Sequence, residues 1–142
     1  MKISKFNEIV NSVKTNNSLL FELEHDTIPS EKDIVEFEKQ YNVLLTEKYK
    51  QVLLKYGGGF FGYANIYSLD KKSHFYILNN NPFPLSDILY IADNECGDYY
   101  FLKIVDGICQ DNIFFYNHEI DNVSNTKFSD IFEYLAEVGL RR

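Results

Sequence analysis

From Asp87 to Tyr116 apolar runs alternate with tight polar breaks, and that alternation restricts this part of the chain to a sheet. Ile88-Leu89-Tyr90-Ile91 leads into an acidic corner, Asp93-Asn94-Glu95-Cys96-Gly97-Asp98. Tyr99-Tyr100-Phe101-Leu102 leaves it, Asp106-Gly107 turns the chain, and Ile113-Phe114-Phe115-Tyr116 returns. Aromatic and β-branched runs broken by Gly and Asp predict antiparallel strands joined by tight turns.

The region before this stretch is patterned for helices. Phe6, Ile9, Val10 and Val13 fall at i, i+3, i+4 and i+7, one face of a helix that Ser4 is placed to cap and Asn16-Asn17-Ser18 to end. An apolar run, Leu19 to Leu23, and a loop at His25-Asp26-Thr27 follow. Ser30 and Asp33 then form the pattern of an acidic capping box, with Ile34, Phe37 and Tyr41 as the buried stripe behind it. Thr46 starts another helix, in which Tyr49, Val52, Leu53 and Tyr56 repeat the spacing and Gly57-Gly58-Gly59 stops it. So short a connection predicts that these two helices pack as a pair.

Beyond the glycines, Asn65 to Leu69 and His74 to Leu78 read as short strands, and Asn79 to Pro84 as a surface loop. Asn117 to Lys127 is polar and reads as a loop carrying Glu119 and Asp121. Ser129 is the expected cap of a last helix, whose Phe128, Ile131, Phe132 and Leu135 share a face. No repeat or linker divides residues 1–142, so the expectation is a single α+β domain. Its antiparallel sheet of about five to six strands is flanked by N-terminal helices and one C-terminal helix.

Net charge is −7, from 21 acidic and 14 basic residues. That balance disfavours nucleic-acid binding, which needs clustered Lys and Arg, and suits a basic protein partner. The 12 Phe and 11 Tyr serve chiefly as core, although tyrosine also suits a contact surface. No apolar run approaches the roughly 20 residues of a membrane span, and the N-terminus lacks a secretory signal pattern. Two cysteines are too few for a disulfide framework. The expected setting is the cytoplasm, with no membrane partner.

Cys96 and His118 could suggest a thiol nucleophile and its base, but Glu95 and Asp98 beside the thiol disfavour the thiolate. His25, His74 and His118 are scattered without ligand spacing, and Asp93, Glu95 and Asp98 lack the order of a calcium loop. The glycines at 57–59 follow a helix, whereas phosphate-cradling glycines precede one. No catalytic residue, metal or cofactor is expected.

Three segments occur in a recognisable order. They are Leu45-Thr46-Glu47-Lys48-Tyr49 running on to Lys55-Tyr56-Gly57-Gly58, then Ile91 to Leu102 through the acidic corner, then Phe115-Tyr116-Asn117-His118-Glu119 followed by Phe128 to Leu135. Together they resemble the SUKH superfamily, which includes fungal cell-wall-assembly regulators and many bacterial immunity proteins. The likeness spans Pro29 to Leu135. The chain departs from the family pattern in having Thr46 in place of a proline, Tyr56 where asparagine is frequent, and Phe114-Phe115 where tryptophan is frequent.

The resemblance implies a non-catalytic binding domain. In bacteria it implies an immunity protein that neutralises a cognate toxin, often a nuclease, by direct stoichiometric contact. The alternative it implies is a regulatory interaction module in cell-wall or envelope control. Thr46, Tyr49, Gly57, Gly58, Gly97 and Asp98 fall on the motif and are expected to be scaffold. Asp93, Asn94, Glu95, Asp98, Tyr99, His118, Glu119 and Asp121 are the candidate partner-binding residues. They form an acidic rim if the corner and the 117–123 loop meet at one end of the sheet. Oligomeric state is not encoded in these patterns.

Overall fold

The computed structural model describes residues 1–142. Helix α1 (Ile3–Asn16) buries Phe6, Val10 and Val13, as its periodicity predicts. It begins at Lys2 with no side-chain cap, so Ser4 lies inside the first turn and does not cap it. A 3₁₀ turn, Ser18–Phe21, follows. Helix α2 (Glu31–Tyr41) carries the complete capping box: Ser30 Oγ accepts Asp33 N–H at 3.1 Å, and Asp33 accepts Ser30 N–H at 2.9 Å. Helix α3 (Glu47–Tyr56) is capped by Thr46, whose hydroxyl accepts Tyr49 N–H at 3.0 Å, and ends on Gly57 at φ 79°. A residue with a Cβ at Gly57 would sit 2.4 Å from the Asp26 carbonyl oxygen, so glycine is needed for space as well as conformation. The α2–α3 connection is fixed by buried Glu38, which accepts Leu45 N–H at 2.9 Å and faces Lys50 Nζ at 3.3 Å. Beyond that connection both helices feed the same core, α2 through Ile34 and Phe37 and α3 through Tyr49, Val52 and Leu53.

A short hairpin follows, β1 (Gly59–Phe61) with β2 (Ala64–Ile66). The main sheet contains β3 (Ile88–Asp93), β4 (Tyr99–Val105), β5 (Ile108–Cys109), β6 (Phe114–Asn117) and β7 (Asn122–Asn125). Its order is β3-β4-β6-β7, with β5 paired to the end of β4, and every pairing is antiparallel. Asp106 and Gly107 both adopt positive φ, 52° and 78°, as a two-residue hairpin turn requires. A bulge between Tyr90 and Ala92 shifts the β3–β4 register just before the corner. The chain closes with α4 (Ile131–Tyr134), continued by a π-helical turn, Leu135–Gly139.

Three further local expectations, besides the Ser4 cap, are corrected. The segment from His74 to Leu78 is not a strand: Phe75 and Ile77 are buried, but Ser73 Oγ takes the Phe75 N–H and Asn80 Nδ2 takes the His74 and Tyr76 carbonyls. One parallel bridge to Ser68 remains, with Ser68 N–H donating to the Phe75 carbonyl at 2.9 Å and Ile77 N–H to the Ser68 carbonyl at 2.8 Å, but the local side-chain bonds keep it from extending into a strand and a 3₁₀ turn follows at Ile77–Asn80. The polar segment after Asn117 is not all loop, because Asn122–Asn125 pairs with β6 as an edge strand whose four residues are all exposed. Asp130, rather than Ser129, caps the last helix: its carboxylate accepts Glu133 N–H at 2.9 Å, while Ser129 N–H donates to Glu133 Oε2.

One face of the sheet, through Leu89, Ile91, Leu102 and Ile104, joins the same core as Phe6, Leu53, Phe132 and Leu135. The opposite face is aromatic. Tyr90 stacks on Tyr99 at 4.4 Å between ring centres, Phe101 on Phe114 at 5.6 Å, and Lys103 Nζ lies 4.2 Å above the Phe114 ring. Part of the aromatic surplus therefore covers the outside of the sheet instead of filling the core.

Candidate partner-binding site

Register brings the corner and the β6–β7 turn together. Tyr99 pairs with Asp93 on one side and with Tyr116 on the other, and Asn117 pairs with Asn122. Residues 94–98 and 118–121 therefore project from the same end of the sheet, as the rim requires. The two turns are then bolted to each other. Asp98 Oδ1 accepts the His118 backbone N–H at 2.9 Å and meets His118 Nδ1 at 2.7 Å. Asn94 ties the corner from within, its Oδ1 accepting Cys96 and Asp98 N–H and its Nδ2 donating to Asp98 Oδ2 at 2.9 Å. The His118 N–H, then the Asn94 amide and the His118 ring, hold the Asp98 carboxyl below its ordinary pKa. Gly97 stands at φ 91°, and a Cβ there would lie 3.0 Å from the His118 ring, so the imidazole packs closely across the glycine and would have to shift to admit a side chain.

Asp93 faces the other way. Its carboxylate accepts Tyr67 O–H at 2.6 Å, Asn65 Nδ2 at 2.9 Å and Glu95 N–H at 2.8 Å, and Asn65 Oδ1 accepts Asp93 N–H at 3.0 Å. The Tyr67 carbonyl in turn accepts the hydroxyl of Tyr49, a fully buried residue, at 2.6 Å. Burial, with Asp93 adding, pushes the Tyr67 phenol far up. A polar chain thus runs from α3 through Tyr67, just past β2, to the base of the corner, so the Tyr49 hydroxyl and most of the Asp93 carboxylate are committed to internal bonds. Gly58 is scaffold in the same region, since a Cβ there would lie 2.7 Å from Ser68 Cβ. Nothing in the sequence pattern marks Asn65 or Tyr67 as partners of Asp93, because the link runs between side chains 28 and 26 residues apart.

What remains outward are Glu95, Glu119 and Asp121, all exposed, with half-buried Tyr99 behind them. Asp121 accepts the Tyr116 hydroxyl at 2.7 Å, and that bond raises the Tyr116 pKa. Ile120 and Val123 lie beside these acids, 67% and 54% exposed. No Lys or Arg pairs with Asp93, Glu95, Glu119 or Asp121; the lysine and N-terminal ion pairs of the protein lie elsewhere. Cys96 is exposed, and the His118 Nδ1 nitrogen is engaged by Asp98. No cluster of three or more His, Cys, Asp and Glu side chains is arranged to hold a metal ion.

The sequence matches the profile of the SMI1 / KNR4 family (SUKH-1) over residues 28–137. No curated protein matches it. Among solved structures the fold is similar to a crystal structure of a protein from Pseudomonas syringae pv. tomato. The TM-score is 0.68 at 16% identity, covering 96% of this chain and 99% of that one. The family match covers most of the chain and includes both halves of the bolted corner, so the protein belongs to the SMI1/KNR4 (SUKH-1) family.

Proposed function

We propose that this protein is an immunity protein, which binds and neutralises a cognate toxin by stoichiometric contact without catalysis. The observation that carries the reading is the end of the sheet. Glu95, Glu119 and Asp121 stand there without cationic partners, beside exposed Ile120 and Val123, on two turns locked together by Asp98. Uncompensated acids around apolar side chains suit a basic surface, such as the Lys- and Arg-lined cleft of a nuclease. A pre-locked frame limits the entropy lost on docking. Family membership supports a binding rather than a catalytic role, and no helix is long and apolar enough to cross a membrane.

The test is affinity purification of the tagged protein from its own cells at low and high salt. Co-purification of the toxic domain of a larger protein, in a complex weakened by salt, is the expected result. Recovery of envelope-synthesis proteins alone would sink the immunity reading and favour the regulatory alternative.

A further inference from the structure

The two edges of the main sheet differ in how their backbone is covered. Along β3, Asn81 accepts the Tyr90 N–H at 2.6 Å and donates to the Tyr90 carbonyl at 2.9 Å. The Ile91 carbonyl accepts Tyr67 N–H at 2.8 Å, and Asn65 accepts Asp93 N–H at 3.0 Å. Strand β7 has no such cover. It lies last in the strand order, its four residues are exposed, and the nearest side-chain bonds are made by Asp121 and Thr126, outside the strand. Thr126 N–H donates to the Ile113 carbonyl at 3.3 Å, one step beyond the Phe114–Asn125 pair. Alternation along an antiparallel ladder therefore turns the Asn122 and Ser124 backbone toward β6 and the Val123 and Asn125 backbone away from it. Asn122-Val123-Ser124-Asn125 contains no Lys, Pro or bulge of the kind that keeps an edge unpaired.

We propose that β7 pairs with β7 of a second copy of this chain, antiparallel, about a two-fold axis at Ser124. In that register Val123 of each copy meets Asn125 of the other as a hydrogen-bonded pair, so the free backbone groups of both residues are used on both sides. A slip of two residues either way leaves only one such pair within the strand. Charge fits the same register. Asp121, just before the strand, falls beside Lys127 of the second copy, just after it, and the two-fold makes that ion pair twice. Lys127 is 69% exposed, so its amine, which already meets Glu137, has room for a second carboxylate. Between these charges the edge is neutral, with no like charges to oppose each other. An isologous contact closes on itself, and the covered β3 edge offers no second site, so growth stops at a pair. So short a pairing buries less than a standard interface, which makes the association weak and concentration-dependent. The pairing does not depend on what the acidic rim binds. It places the two rims at opposite ends of one continuous sheet.

The test is analytical ultracentrifugation of the full-length protein, joined to a cross-link that reads the register. From about 10 μM to about 1 mM the sedimentation coefficient should rise with concentration. Ser124→Lys changes an exposed side chain and sets like charges opposite each other at the axis, so it should weaken self-association about tenfold with Tm unchanged. In a Cys96→Ser background, which removes the exposed native thiol, Ser124→Cys should oxidise to a covalent dimer about tenfold faster than Asn122→Cys. Residue 124 meets itself as a non-hydrogen-bonded pair at a Cα separation of about 4.5 Å, which a disulfide spans, whereas the two Asn122 positions lie about 13 Å apart. Any one of three results would overturn the proposal: a sedimentation coefficient independent of concentration, Ser124→Lys self-associating like the parent, or Ser124→Cys cross-linking no faster than Asn122→Cys.

Discussion

Two carboxylate clusters in this molecule have opposite compensation. Asp130, 2% exposed, is met by real cations, with Lys48 Nζ at 2.8 Å and the Met1 amine against the same oxygen. The corner is met almost entirely by neutral donors: backbone N–H groups, the Asn65 and Asn94 amides and the Tyr67 and Tyr116 hydroxyls. Neutral donors fix a carboxylate in place and leave its charge on the surface. Cations cancel that charge. The first cluster is therefore suited to holding the last helix against α3, and the second to presenting negative potential from a fixed frame.

That contrast predicts unequal responses to mutation. Asp130→Ala removes a helix cap and leaves Lys48 without its partner. It should destabilise the protein by about 3–5 kcal/mol in chemical denaturation. A change of less than about 1 kcal/mol would erase the distinction between the clusters.

Acid should act on the same site next. Burial raises the Asp130 carboxyl, but the hydrogen bond from Lys48, the N-terminal amine and the Glu133 N–H together hold it below the ordinary value of 3.8. A depressed folded-state pKa gives stability that is complete above the unfolded carboxylate range. That stability is lost as pH falls through the folded value. Asp130→Asn should flatten the decline in stability below about pH 4, and an unchanged acid-unfolding profile would contradict the assignment.

Gly97→Ala tests the bolt at the corner. Left-handed backbone and contact with the His118 ring should cost about 1–2 kcal/mol, and the amide shifts of residues 118–121 should move with those of 94–98. If the 118–121 signals stay still, the two turns are independent. Smallest in stability is the combined change Glu95→Gln, Glu119→Gln and Asp121→Asn. Tm should barely move, while association with a basic partner should slow by about an order of magnitude at low salt and lose most of its salt dependence.

Much of the frame is legible from local chemistry. Ser30 with Asp33, Thr46 and Gly57 each act on neighbours within one turn, and the sequence places all three correctly. The errors occur where two local candidates compete or where a partner is distant. Ser129 and Asp130 are adjacent capping residues, and the choice of Asp130 is made by Lys48, 82 residues away. Strand β7 escapes a reading based on alternation because none of its four residues is buried; only pairing to β6 defines it. His74 to Leu78 has a strand-like composition, but neighbouring Ser73 and Asn80 engage the Phe75 N–H and the His74 and Tyr76 carbonyls, leaving a single bridge to Ser68. At the site, the meeting of corner and turn follows from strand order and was readable. The inward commitment of Asp93 was not, since one acid in a run of acids carries no mark of which way it points.

The bolt between Asp98 and His118 also bears on how such a surface changes over generations. The bonds that shape the two turns are accepted by the Asp93, Asn94, Asp98 and Asn117 side chains from the backbone N–H groups of residues 95, 96, 98, 118 and 119, whereas the Glu95 and Glu119 side chains make no hydrogen bond or ion pair within the chain. Position 119 can be rewritten without disturbing the frame, whereas position 95, at φ 62°, accepts only residues that tolerate left-handed backbone. The outward charge at position 119 is thereby separable from the bonds that hold the two turns together.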